Sequence, residues 1–158
     1  MTVFTLGTAS LKELAGVNPY LVATVKRAIE ITTQDFTVHD GIRTIEEQRK
    51  FVAQGFSKTM KSKHLEGRAV DLVPWIDGKP RWWWPQIYQI AAAMCLASRE
   101  LKTNIVWGAV WDMRLADLAV GVTDLALLPD ALQREGLAYN ARHPGADFPD
   151  GPHFEIQA

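Results

Sequence analysis

The sequence predicts an α+β fold: a small single domain with a central antiparallel sheet flanked by helices. Three observations point there. Segments 18–32 and 85–101 carry apolar residues at helical spacing. Four short stretches, 36–39, 69–74, 104–107 and 154–156, are rich in β-prone residues. A chain of 158 residues with 47% hydrophobic content buries one sizeable core and falls short of two comfortable domains. The expectation is one domain over 1–158 with no second domain attached.

Taken in order, Ser10 followed by Glu13 predicts a capping box opening a short helix. Asn18 before Pro19 pairs an N-cap with a proline in the first turn, and Leu21, Val22, Val25, Ala28 and Ile29 then draw one apolar face. After strand 36–39, Asp40 and Gly41 turn the chain, and Thr44 begins a polar helix containing Glu46, Glu47, Gln48 and Phe51. Arg43 therefore stands at a strand-to-helix junction. Residues 55–65 read as a polar connection, and 69–74 as a strand ended by Pro74 with Asp71 its one charge. Helix 85–101 and strand 104–107 follow. From 109 to 146 the pattern weakens into a leucine-rich piece, 125–132, among loop-like stretches, which predicts an insertion. No repeat or low-complexity linker interrupts the chain.

The bulk properties remove several classes of function. A formal net charge of −1 offers no basic field for nucleic acid. One cysteine, Cys95, excludes an intramolecular disulfide and a cysteine-based zinc cluster. Residues 1–10 lack the features of a secretory signal, and no window reaches the ~18 apolar residues of a membrane span. The expected product is cytoplasmic, without membrane insertion, and monomeric.

His64 and Asp71 flank Gly67, and His153 lies near the C-terminus. Two imidazoles and a carboxylate leave one tetrahedral position of Zn²⁺ open, which separates catalytic from structural zinc. A turn at Gly67 would let His64 and Asp71 converge on one ion, and a terminal strand pairing beside Asp71 would deliver His153. A lone carboxylate inside an apolar strand is costly to bury unless paired or metal-bound, which favours Asp71 as a ligand. Asp150, shortly before His153, reads either as a general base or as an aspartate in a surface turn. Glu66 is expected in solvent and Glu155 on the strand face of His153; His39 and His143 carry no assignment.

These residues carry a family resemblance. Residues 62–71 match an SxHxxGxAxD signature, and Asp150, Gly151, Pro152 and His153 resemble the second metal motif of the VanY-like zinc peptidases. Gly41, Arg43, Thr44, Glu47 and Gln48 are similar to the GxRTxxEQ stretch of bacteriophage L-alanyl-D-glutamate peptidases, which are endolysins. The resemblance covers the chain from about Asn18 to the end. It implies a Hedgehog/DD-peptidase-like fold and one Zn²⁺ held by His64, Asp71 and His153, with Asp150 as catalytic acid/base. It further implies that Arg43, Gln48 and Ser62 hold the peptide. The implied activity is hydrolysis of the L-alanyl-D-glutamate bond of the peptidoglycan stem peptide, causing host lysis. Release to the wall would fall to a separate holin-like protein, with no cell-wall-binding domain in this chain.

One block departs from the family pattern. Where related chains often show a WGGDW-like segment, this one has Trp107, Gly108, Ala109, Val110, Trp111 and Asp112, so the loop lining the cleft is expected to differ. Trp82, Trp83 and Trp84 are read as packing a helix start against the sheet. Two other functions remain open: a D-alanyl-D-alanine carboxypeptidase of the same fold, and a zinc-stabilised binding module without catalysis.

Overall fold

A computed structural model describes residues 2–55, 62–145 and 149–157. Its elements are α1 (Thr8–Leu14), α2 (Pro19–Ile31), β1 (Phe36–Asp40), α3 (Ile45–Ala53), β2 (Ala69–Ile76), β3 (Lys79–Pro80), α4 (Trp84–Leu101), β4 (Ile105–Trp107), α5 (Leu128–Arg142) and β5 (His153–Ile156), with a 3-10 turn at Leu115–Asp117. The sheet runs β1-β2-β5-β4 with β3 as a short hairpin partner of β2, and every pairing is antiparallel. The α+β architecture read from the sequence is the one observed.

Strand alternation divides the sheet into two faces. Val70 and Leu72 of β2, and Phe154 and Ile156 of β5, enter the buried core with Leu21, Val25, Ile90, Met94 and Trp107. Asp71, His153 and Glu155 occupy the alternate positions and turn to the other face. In the β2–β5 ladder Asp71 stands opposite His153. Two residues far apart in the chain are thus brought level by register alone.

The local signals behave differently from one another. Asn18 caps α2, its side chain accepting from the backbone of Tyr20 at 2.9 Å and Leu21 at 3.4 Å. Thr44 and Glu47 form a full capping box on α3. Ser10 does not cap α1, whose N-cap is Gly7. Its hydroxyl instead meets Thr37 Oγ1 and accepts from the backbone N–H of Val38, both at 3.0 Å, so it ties α1 to β1.

Pro74 does not end its strand. β2 continues to Ile76, because Leu72 already donates to Pro152 at the start of β5 and the missing N–H of Pro74 falls beyond that strand's reach. The weakly patterned 109–146 region contains a 15-residue helix, α5, which packs on α4 through Leu128, Ala131, Leu132 and Tyr139. Trp82 and Trp83 are not packed against the sheet: they are exposed, with Trp82 edge-on to His39 and Arg81 over the ring of Trp83, whereas the partly exposed Trp84 lies against Gly151 just before β5. Cys95 is buried, as a helix residue of the core. Part of the 55–65 connection lies outside the described residues.

Candidate metal centre

The site is assembled where three chain segments meet on the polar face of the sheet. β1 ends at Asp40, and Gly41 follows in a place where a Cβ would stand 1.9 Å from the carbonyl oxygen of Glu13. Only glycine fits there. Its carbonyl accepts from His64 Nδ1 at 2.7 Å, and since a carbonyl cannot donate, Nδ1 carries the hydrogen and Nε2 keeps a lone pair. The turn that presents His64 is closed by Leu65 N–H to Ser62 C=O and Gly67 N–H to His64 C=O, at 3.1 and 3.2 Å. Gly67 has φ +66° and faces the Gly16 carbonyl at a distance that leaves no room for a Cβ.

His153 is aimed in the same way from the other side. Its Nε2 lies 2.9 Å from Glu155 Oε1, and Glu155 is itself bonded by Gln157 Nε2 at 2.9 Å. With Nε2–H donating to Glu155, Nδ1 is left facing Asp71 Oδ1 at 3.4 Å. His64 Nε2 faces Asp71 Oδ2, also at 3.4 Å. One ligating atom from each of His64, Asp71 and His153 fits within 4.8 Å of the others.

Two observations test whether these residues suit a metal. Asp71 Oδ1 is buried and accepts no hydrogen bond, an expensive condition for a carboxylate oxygen that a cation removes. Both imidazoles have their outward nitrogen already engaged, one on a carbonyl and one on a carboxylate, the arrangement that orients histidine ligands. The donor set fits a divalent cation of the zinc type.

The electrostatics agree with a negative pocket. Burial opposes ionisation of Asp71, but the imidazoles of His153 and His64 that face it outweigh burial and hold the carboxyl well below the usual range. For His153, burial acts against the charged ring, and Asp71 with Glu155 overcomes that, raising it to about 10. The carboxylates that favour a proton there would equally favour a cation, which binds only when the proton leaves. Asp150 is pushed up, first by burial and then by the charge of Asp71.

Asp150 is held by its backbone, donating to the Gly108 carbonyl at 2.9 Å and accepting from the His153 N–H at 3.1 Å. Gly108 is pressed against it, and Trp107 Nε1 donates to the Gly151 carbonyl at 2.7 Å. The ring of Trp111 lies 5.3 Å from that of His153, so the divergent 107–112 segment borders the site.

Arg43 is almost covered, its side chain 9% exposed. Nε donates to Asp40 Oδ2 at 2.9 Å, Nη2 contacts the same oxygen closely, and Nη1 donates to Gln48 Oε1 at 2.6 Å. Asp71 Oδ2 is 3.8 Å away and the Phe51 ring lies under the guanidinium. Gln48 is fully buried and meets the site through Arg43. Ser62 Oγ accepts from the His64 N–H at 3.2 Å, so it shapes the turn. Glu66 is exposed, as expected. His143 pairs with Asp112 at 3.1 Å.

Sequence reasoning missed Asp40, Gly41 as the partner of His64, and Trp111. The Asp-Gly pair signalled only a turn; its second use depends on β1 lying beside β2.

Comparison with known proteins follows the same residues. The family model described as phage L-alanyl-D-glutamate peptidase matches residues 2–119. The L-alanyl-D-glutamate peptidase of Escherichia phage T5 is 36% identical over 113 residues, 69% of this chain and 82% of that protein. The crystal structure of the L-Ala D-Glu endopeptidase ChiX of Serratia marcescens is similar with a TM-score of 0.69 at 28% identity, covering 97% of this chain and 90% of that one. Arg43, His64 and Asp71 lie inside the matched family region, while His153 and Asp150 lie beyond it and reach the site through β5. From its sequence match through to this shared architecture, the chain belongs to the phage L-alanyl-D-glutamate peptidase family.

Proposed function

We propose that this protein is a zinc-dependent peptidoglycan endopeptidase that hydrolyses the L-alanyl-D-glutamate bond of the stem peptide, and that it acts as an endolysin. The observation that carries the reading is the grouping of His64, Asp71 and His153, each offering a ligand atom within 4.8 Å of the others, with Asp71 Oδ1 left unsatisfied among them. His64, Asp71 and His153 would hold one Zn²⁺. When bound, that ion supplies Lewis-acid chemistry, polarising a carbonyl and making water a better nucleophile near neutral pH.

Asp150 takes the proton of the attacking water as its oxygen adds to the L-alanyl carbonyl carbon. It then gives that proton to the D-glutamate nitrogen as the C–N bond breaks, leaving an alanine carboxylate and a free amine. A carboxyl with raised proton affinity suits both halves of this task. Arg43 is the cation beside the metal ligands, and the free carboxylate of D-glutamate is its complement. Asp40 and Gln48 hold the guanidinium in place, and Ser62 holds the turn that carries His64.

The domain would work as a monomer. No helix among the described residues is long and apolar enough to cross a membrane. In this proposal a separate holin-like protein gives the enzyme access to the wall.

The test is the mass of products released from purified peptidoglycan with and without a chelator. The expected products carry a new D-glutamate amino terminus and disappear on chelation. Loss of only a terminal D-alanine would instead establish the carboxypeptidase reading. Asp150→Ala should lower the rate by about 10²- to 10⁴-fold while zinc content is retained. His64→Ala with zinc content unchanged would remove the metal assignment.

A further inference from the structure

A cleft of about 350 Å³ opens between the start of α4 and the outer face of α5, a size within the range of small-molecule sites. One wall is aromatic: Trp84 and Tyr88, one helical turn apart, with ring centroids 5.3 Å apart. The other wall carries the carboxamides of Gln133 and Asn140, both exposed and on the same strip of α5. The floor is Gly136. It is buried, yet a Cβ built on it would meet nothing within 4 Å. Glycine is the poorest helix former after proline, so its presence inside α5 needs a reason, and the reason visible is that it leaves the cleft open.

The cleft adjoins the proposed reaction centre. Pro149 lines it immediately before Asp150, and the Trp84 ring sits so close to Gly151 that a Cβ there would collide with it. No charged side chain lines it among the described residues. That excludes the carboxylate-bearing part of the stem peptide and suits what lies on the other side of the scissile bond. The nitrogen of L-alanine is acylated by the lactyl group of an N-acetylated amino sugar, so the sugar lies about two residue lengths, roughly 7 Å, from the bond to be cut. An N-acetylhexosamine offers C–H faces that pack on aromatic rings and an acetamide that pairs with Gln or Asn carboxamides.

We propose that the α4–α5 cleft, walled by Trp84 and Tyr88 and by Gln133 and Asn140, binds the amino sugar of the glycan strand that carries the stem peptide. The proposal rests on the L-alanyl-D-glutamate reading of the site, and its test separates the two.

Calorimetric titration with the peptide-free disaccharide N-acetylglucosaminyl-N-acetylmuramic acid reads the cleft without hydrolysis. The wild type should bind it. Gly136→Leu, which fills the cleft, and the exposed pair Gln133→Ala/Asn140→Ala should each weaken binding at least tenfold. In parallel, the wild type should cut a disaccharide-linked tripeptide at least tenfold faster in kcat/KM than the sugar-free tripeptide. In both variants that preference should fall below about threefold, through KM. Equal cutting of both substrates by the wild type, no disaccharide binding, or unchanged binding by the variants would overturn the proposal and leave the hydrolytic reading intact. Binding of the sugar-free peptide in place of the disaccharide would overturn it as well. Disaccharide binding that the variants lose, with neither substrate cut, would sustain the sugar site and defeat the hydrolytic reading. If Gly136→Leu fails to fold, the surface pair decides alone.

Discussion

A histidine binds a metal through one ring nitrogen and is aimed by the other, so the partner of the second nitrogen sets how well the first performs. For His153 that partner is Glu155. Glu155→Ala should lower zinc affinity by about 10- to 100-fold, measured by competition with a chromophoric chelator, with the fold unchanged by circular dichroism. Affinity equal to wild type would mean that the ring is held by packing alone. The grouping of the proposed ligands was legible in the sequence because their residue types are costly in that setting: Asp71 inside an apolar strand needs a charge to face. Asp40 was not legible, since an aspartate before a glycine reads as a turn until Arg43 is seen folded back onto it. Arg43 was legible by its position, but its coverage by Asp40, Gln48 and Phe51 was not.

At the scale of elements, the segment between β4 and α5 is irregular, and one side chain fixes it. Arg99, on α4, donates to the carbonyls of Ala116, Leu118, Ala119 and Val122 at 2.7 to 3.3 Å. Arg99→Met should cost ~2–4 kcal/mol, read as a lower urea midpoint, because several carbonyls lose a charged donor together. Activity per folded molecule should persist, as Arg99 lies away from the metal ligands; parallel loss of both would tie this segment to the site. Helices α2 and α4 were readable from periodicity. α5 was not, because it begins after Leu127 without a side-chain cap, and the buried Gly136 breaks its apolar rhythm while Gln133 and Asn140 face outward. Ser10 misled for a related reason: a capping residue type can serve another strand just as well.

For the whole molecule, the fold class followed from the order of helical and β-prone segments, and the pairing of the terminal strand beside Asp71 followed from the residues the site needs, whereas the rest of the strand order did not. Placing β5 between β2 and β4 requires pairings that no local pattern specifies. With the proposed ion bound, that placement would make metal and fold interdependent. Zinc at a hundred times its dissociation constant should stabilise the protein by ~2.7 kcal/mol, seen as a rise in melting temperature that His64→Ala abolishes. An unchanged melting point in the wild type would mean that the ion does not prefer the folded chain.

The register that sets Asp71 opposite His153 also has a topological meaning. An ion shared by these residues fastens a long internal loop of chain at its two ends, as a disulfide would in a protein whose one cysteine cannot form one. Chelation then amounts to unfastening that loop. Amide hydrogen exchange should quicken first along β5, ahead of α2 and α4, so that the last strand to be held is the first to open.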